Sequence, residues 1–100
     1  MRFGLLEWMN RRQRQILVHS FLYYQLNENI ISDHTFDLWS KELAKAIIDH
    51  PETFKQSVYA DGFKNFDGSS GYDLPFHLPE IQNTGYRLLK LRSTKVQLKK

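Results

Sequence analysis

The sequence predicts a small, mainly α-helical domain: a helical hairpin, completed by a loop rich in aromatics and glycine and by a C-terminal helix. Apolar residues recur at spacings of three and four through residues 11–26 and again from Phe36 to Ile47, the pattern of a helix with one buried face. Ser32, Pro51 and Pro79 stand where helices start, and Gly62, Gly68 and Gly71 crowd the segment that separates the hairpin from the last helix. One hundred residues, 41% hydrophobic and 14% aromatic, suffice for one modest core and are too rich in rings for a disordered chain.

In the first helix, RRQRQILVHSFLYYQL, Leu17, Phe21 and Tyr24 form the apolar face with Val18 and Leu22 alongside. FGLLEWM upstream extends it by two turns, although Gly4 weakens that extension. Asn27 and Asn29 favour a stop, because Asn tolerates left-handed backbone angles. Ser32 caps the second helix, Asp33 sits near its positive dipole end, and Phe36, Trp39, Leu43 and Ile47 trace its apolar stripe. That helix ends near His50, since Pro51 disfavours helix in the residue before it and itself opens a short helix, PETFKQSVY.

Residues 61–75 read as a structured loop whose Phe63, Phe66 and Tyr72 pack onto the helices. Pro79 at the first position and Glu80 in the first turn open the last helix, with Ile81, Leu88, Leu89 and Leu91 as its core candidates. The expected organisation is one domain over 1–93 and a frayed basic tail over 94–100.

Composition narrows the functional classes. The chain has no cysteine, and His19, His34, His50 and His77 lack an H-x3-H spacing, so no metal is expected. The start lacks the apolar run of a signal peptide, and no stretch approaches the ~20 apolar residues of a membrane span. A soluble, cytoplasmic protein is the expectation. The net charge of +3 gathers at Arg11, Arg12 and Arg14 and again at Arg87, Lys90, Arg92, Lys95, Lys99 and Lys100. Such clusters can bind nucleic acid, but on helices they are more often solvated faces, and that partner is not favoured. The DGSSG turn lacks the G-K-[ST] of a phosphate loop, and His19 and His77 lack a nucleophile partner.

The chemistry concentrates in IISDHTFDLWSKEL. Asp33 and Asp37 are four residues apart on one helical face, with Phe36 beside them. His19, Tyr23 and Asn27 form a second, semi-polar stripe on the preceding helix. Where two such stripes meet in an antiparallel hairpin, rings surround a pocket floored by carboxylates, which suits a flat, polar ligand that is cationic or bears an amide. Each residue also has an ordinary structural role: Asp33 as a first-turn acid, Asp37 as a partner of Lys41, and Phe36, Tyr23 and Tyr24 as packing rings.

Over residues 15–55, HSFLYYQLNENIISDHTFDLWSKEL and the following HPETF resemble the N-terminal Ia subdomain of NAD-dependent DNA ligases. The aromatics, the I-S-D step, the aromatic-Asp pair and Glu42-Leu43 fall at matching spacing. In that family the subdomain recognises the nicotinamide mononucleotide half of NAD, and the resemblance implies Tyr23, Tyr24, Asp33, Phe36 and Asp37 as the contacting residues. Phe36 stands where the family has Tyr, and Ile30 where it commonly has Glu. The adenylation motif K-x-D-G is absent, so the resemblance implies a non-catalytic module that binds nicotinamide mononucleotide or NAD. FDGSSGYDLP followed by PEIQNTGYRLL is similar to short, stand-alone ligase-related proteins of bacteriophages. On that resemblance the alternative function is an interaction protein that modulates a host protein, such as ligase or another nucleic-acid enzyme, in the host cytoplasm.

Overall fold

The computed structural model describes residues 2–68 and 74–98, with the side chains of 4–68 and 74–91. The described residues form five α-helices and no strand: α1 (Arg2–Ser20), α2 (Asp33–Asp49), α3 (Pro51–Lys55), α4 (Ala60–Phe63) and α5 (Pro79–Leu98). Between α1 and α2 the chain makes one π-turn, Phe21–Gln25. No helix among the described residues is long and apolar enough to cross a membrane.

The hairpin forms as the sequence predicts. α1 and α2 run antiparallel, since Arg12 meets Glu42 at 2.7 Å and, two turns further along α1, His19 meets Trp39 edge-on at 5.7 Å. Arg12 does more than pair with Glu42: its guanidinium lies 5.2 Å from the Trp8 ring and 5.0 Å from the Trp39 ring, a cation held between two indoles. Ser32 caps α2 by accepting the Thr35 N–H at 3.0 Å, and the helix stops at Asp49, before Pro51.

The hairpin and α5 share one core, in which Met9, Ile16, Leu17, Phe21 and Leu22 meet Leu43, Phe54, Phe63 and Ile81. α5 seats directly on the π-turn. A Cβ on Gly85 would stand 2.8 Å from the Phe21 ring, so the glycine lets the α5 backbone lie this close to that ring. Gly68 is required for a second reason: its φ of +86° is left-handed, and a side chain there would meet the Ser40 carbonyl at 3.1 Å.

Three elements depart from expectation. The helix opened by Pro51 ends at Lys55, not at Tyr59: the Gln56 and Ser57 N–H groups tighten onto the Thr53 and Phe54 carbonyls, both at 3.0 Å, and the next two amides are claimed from α1, where Asn10 accepts the Val58 N–H at 2.9 Å and Gln13 the Tyr59 N–H at 3.2 Å. The segment 61–75 is not loop throughout, since Asp61 to Phe63 belong to α4 and Phe63 is fully buried. α5 continues past Ser93 to Leu98, and Leu91 is 57% exposed, which removes it from the core while Ile81 remains at its centre. Phe66 packs against the core as expected, whereas Tyr72 and the SSG of the DGSSG turn lie outside the described residues.

Candidate functional site

The π-turn positions the site. One extra residue per turn slips the register, so the stripe begun by His19 and Tyr23 continues at Glu28 and not at Asn27. Asn27 takes the left-handed conformation, φ 55°, that turns the chain out of the helix. The Leu22 carbonyl accepts both the Leu26 and the Glu28 N–H groups and so closes the helix end. The segment 28–31 then crosses to the start of α2.

Between these pieces lies a cleft of about 480 Å³, within the range of small-molecule sites. Its wall includes Tyr23, Tyr24, Asp33, Phe36 and Asp37, so the five residues named from sequence come together on one surface. His19, Ser20, Glu28, Asn29, Ile30, Ile31 and His34 complete it. Tyr23 and Tyr24 meet edge to face at 4.9 Å and remain 46% and 38% exposed, so Tyr24 is not the core residue that periodicity suggests. One face of Tyr24 is stacked on Phe76 at 5.9 Å. Phe36 is half-buried against the core.

The carboxylates stand at the edge of the cleft and not on its floor, because both Asp33 and Asp37 are exposed. They differ in partners. Asp37 accepts from Lys41 Nζ at 2.8 Å, the helical pair its spacing allows, while the Asp33 side chain makes no hydrogen bond or ion pair among the described residues. Ser20 borders the cleft from within the core: it is fully buried, and its Oγ has no hydrogen-bond partner among the described residues. A buried hydroxyl without a partner is uncommon enough to need a reason.

Ser20, Glu28, Ile30, Ile31 and His34 were not foreseen as site residues, since a π-turn carries no strong local signature and a regular 3.6-residue period directs attention to Asn27. The adjacency of Tyr23 and Tyr24 was the available signal. On a regular helix such neighbours diverge by about 100°, whereas here both face the cleft.

His19 is partly buried between the cleft and the Trp39 ring, and burial holds its imidazole below the ordinary value of 6.5. With the folded pKa depressed, the unfolded chain binds the proton more readily. The contribution is therefore fully present above about pH 6.5 and lost as pH falls through that value towards the folded pKa. Thermal unfolding followed from pH 7.5 down to 5 is expected to show a fall in midpoint that His19→Gln reduces. Identical pH profiles for the two proteins would remove His19 as the cause.

Comparison of the chain with known protein families, with curated proteins and with solved structures returns no match.

Proposed function

We propose that the chain is a non-catalytic module whose cleft binds the nicotinamide end of nicotinamide mononucleotide or NAD. The observation that supports this most is the convergence of Tyr23, Tyr24, Asp33, Phe36 and Asp37 on one cleft of ligand size, the set that the resemblance to the ligase Ia subdomain names. Rings at its wall offer faces and edges to a pyridinium, and carboxylates at its edge accept N–H and O–H groups from the amide and ribose. Asp33, which has no protein partner among the described residues, is the principal acceptor, and Asp37 contributes by exchanging its pair with Lys41.

Calorimetric titration with nicotinamide mononucleotide tests this reading. Asp33→Asn is expected to weaken binding about tenfold or more, the loss of a charge-assisted hydrogen bond. It should leave the melting temperature nearly unchanged, since Ser32 provides the cap. Asp37→Asn is expected to weaken binding less, and Phe36→Tyr to leave it unchanged or tighter. Absence of binding by the wild type at millimolar ligand, with no rescue by Phe36→Tyr, would discard the proposal.

A second reading, an interaction protein that modulates a host enzyme, draws on the Asp37–Lys41 pair, the arrangement expected if Asp37 serves only to solvate its helix. It predicts Asp37→Asn to be silent in the same titration.

A further inference from the structure

We infer that His19 sets the charge that the cleft accepts: its ring must be neutral for a flat aromatic cation to enter, so that ligand binding and protonation of His19 exclude one another. The inference rests on the nicotinamide reading above and adds to its five residues a sixth, which decides when the site is open to a pyridinium.

The placement of His19 makes a positive charge there unwelcome. It lines the cleft one turn before Tyr23, and it meets Trp39 edge-on at 5.7 Å. The Trp39 ring already carries a cation, the Arg12 guanidinium at 5.0 Å from its centre, so an imidazolium would bring a second positive charge to one indole.

The other charged groups of the wall do not reverse this. From α2, Asp33 and Asp37 stand exposed at the edge, Asp37 is paired with Lys41 at 2.8 Å, and His34 is exposed as well. Glu28, on the segment that crosses to α2, has an interaction of its own. The π-turn contributes Tyr23 and Tyr24, whose hydroxyls are neutral near pH 7. Burial prevails over these groups at the His19 imidazole and holds it below the ordinary value of 6.5, so the neutral ring predominates at pH 7.

A cleft of about 480 Å³ is roughly 10 Å across, so the centre of a ring seated in it lies about 5 Å from the walls. At that separation, in the effective dielectric of a protein surface, two like charges repel enough to change affinity about tenfold or more. The coupling is reciprocal: a bound cation lowers the proton affinity of His19 by the factor by which a bound proton lowers affinity for the cation. Binding is therefore complete where His19 is neutral and is lost as pH falls through its pKa. A neutral ring of the same shape meets no such repulsion.

Calorimetric titration of the full chain at pH 7.5 and pH 5 compares nicotinamide riboside, a fixed cation with no group that titrates between them, with benzamide riboside, its neutral isostere. The cation is expected to lose about threefold or more in affinity at the lower pH, and the isostere to keep its affinity. His19→Gln should reduce the loss, whereas His34→Gln should retain it. Titrations near pH 6 in buffers of different ionisation enthalpy should show proton release on binding of the cation by the wild type and none by His19→Gln. An equal loss in wild type and His19→Gln, or a loss abolished by His34→Gln instead, overturns this inference and leaves the nicotinamide proposal standing. If His19→Gln binds neither compound, NMR titration of the His19 imidazole in the wild type decides: its pKa must fall with nicotinamide riboside and not with benzamide riboside, and an unchanged value overturns the inference. No binding of nicotinamide riboside by the wild type at pH 7.5 and millimolar ligand overturns both.

Discussion

Phe21→Ala is expected to lower the free energy of unfolding by about 3–5 kcal/mol, a large share of the roughly 5–15 kcal/mol that stabilises a domain of this size. Phe21 is 1% exposed, meets Tyr86 edge to face at 5.5 Å and opens the π-turn on which α5 rests. Its loss leaves a cavity that α5 cannot readily close, because Gly85 has no side chain to move into the space. Gly85→Val is expected to destabilise by about 1–3 kcal/mol from the opposite cause, since its added carbons meet the Phe21 ring. In the double variant each change relieves the other, so it should be less destabilised than the sum of the two. Urea denaturation of the four proteins measures this, and strict additivity would mean that the two residues do not share the contact described.

Gln13→Ala is the second large effect, expected at about 2–4 kcal/mol from a lost volume and an orphaned backbone donor. Gln13 is fully buried, its Nε2 donates to Ser57 Oγ at 2.8 Å, and its Oε1 accepts the Tyr59 N–H at 3.2 Å. One side chain thus ties α1 to the turn between α3 and α4. Gln13→Met keeps most of the volume and removes only the hydrogen bonds, and it should fall between wild type and Gln13→Ala. If both variants melt with the wild type, the buried amide does not hold that turn.

The helical hairpin was legible in the sequence because its signals are local: Ser32 as a cap, Pro51 as a stop, and a 3.6-residue period through Leu17, Phe21, Leu43 and Ile47. Where the structure departs from that reading, a distant residue intervenes. The helix that Pro51 opens was expected to run on to Tyr59, but Asn10 and Gln13, 48 and 46 positions away from their partners, take the Val58 and Tyr59 amides that helix would use. Gln13 lies in RRQRQ, where composition suggests a solvated face, and nothing local marks it as the polar residue that is buried. Asp33, Phe36, Asp37 and Tyr23 were legible through aromatic and carboxylate spacing, whereas Tyr24, which periodicity assigns to the apolar face, was named only through the resemblance to the ligase Ia subdomain. Glu28 was not legible, because the one-residue slip of the π-turn brings it to the wall in place of Asn27.

The Arg12 clamp makes the protein its own optical reporter. The chain has two tryptophans, and both indoles lie against the same guanidinium. Trp39 also touches His19, a wall residue of the cleft, so its emission is coupled on one side to the hairpin and on the other to whatever enters or protonates that wall. A Trp8→Phe chain, whose only indole is Trp39, would therefore register occupancy of the cleft and titration of His19 as intensity changes without any attached dye.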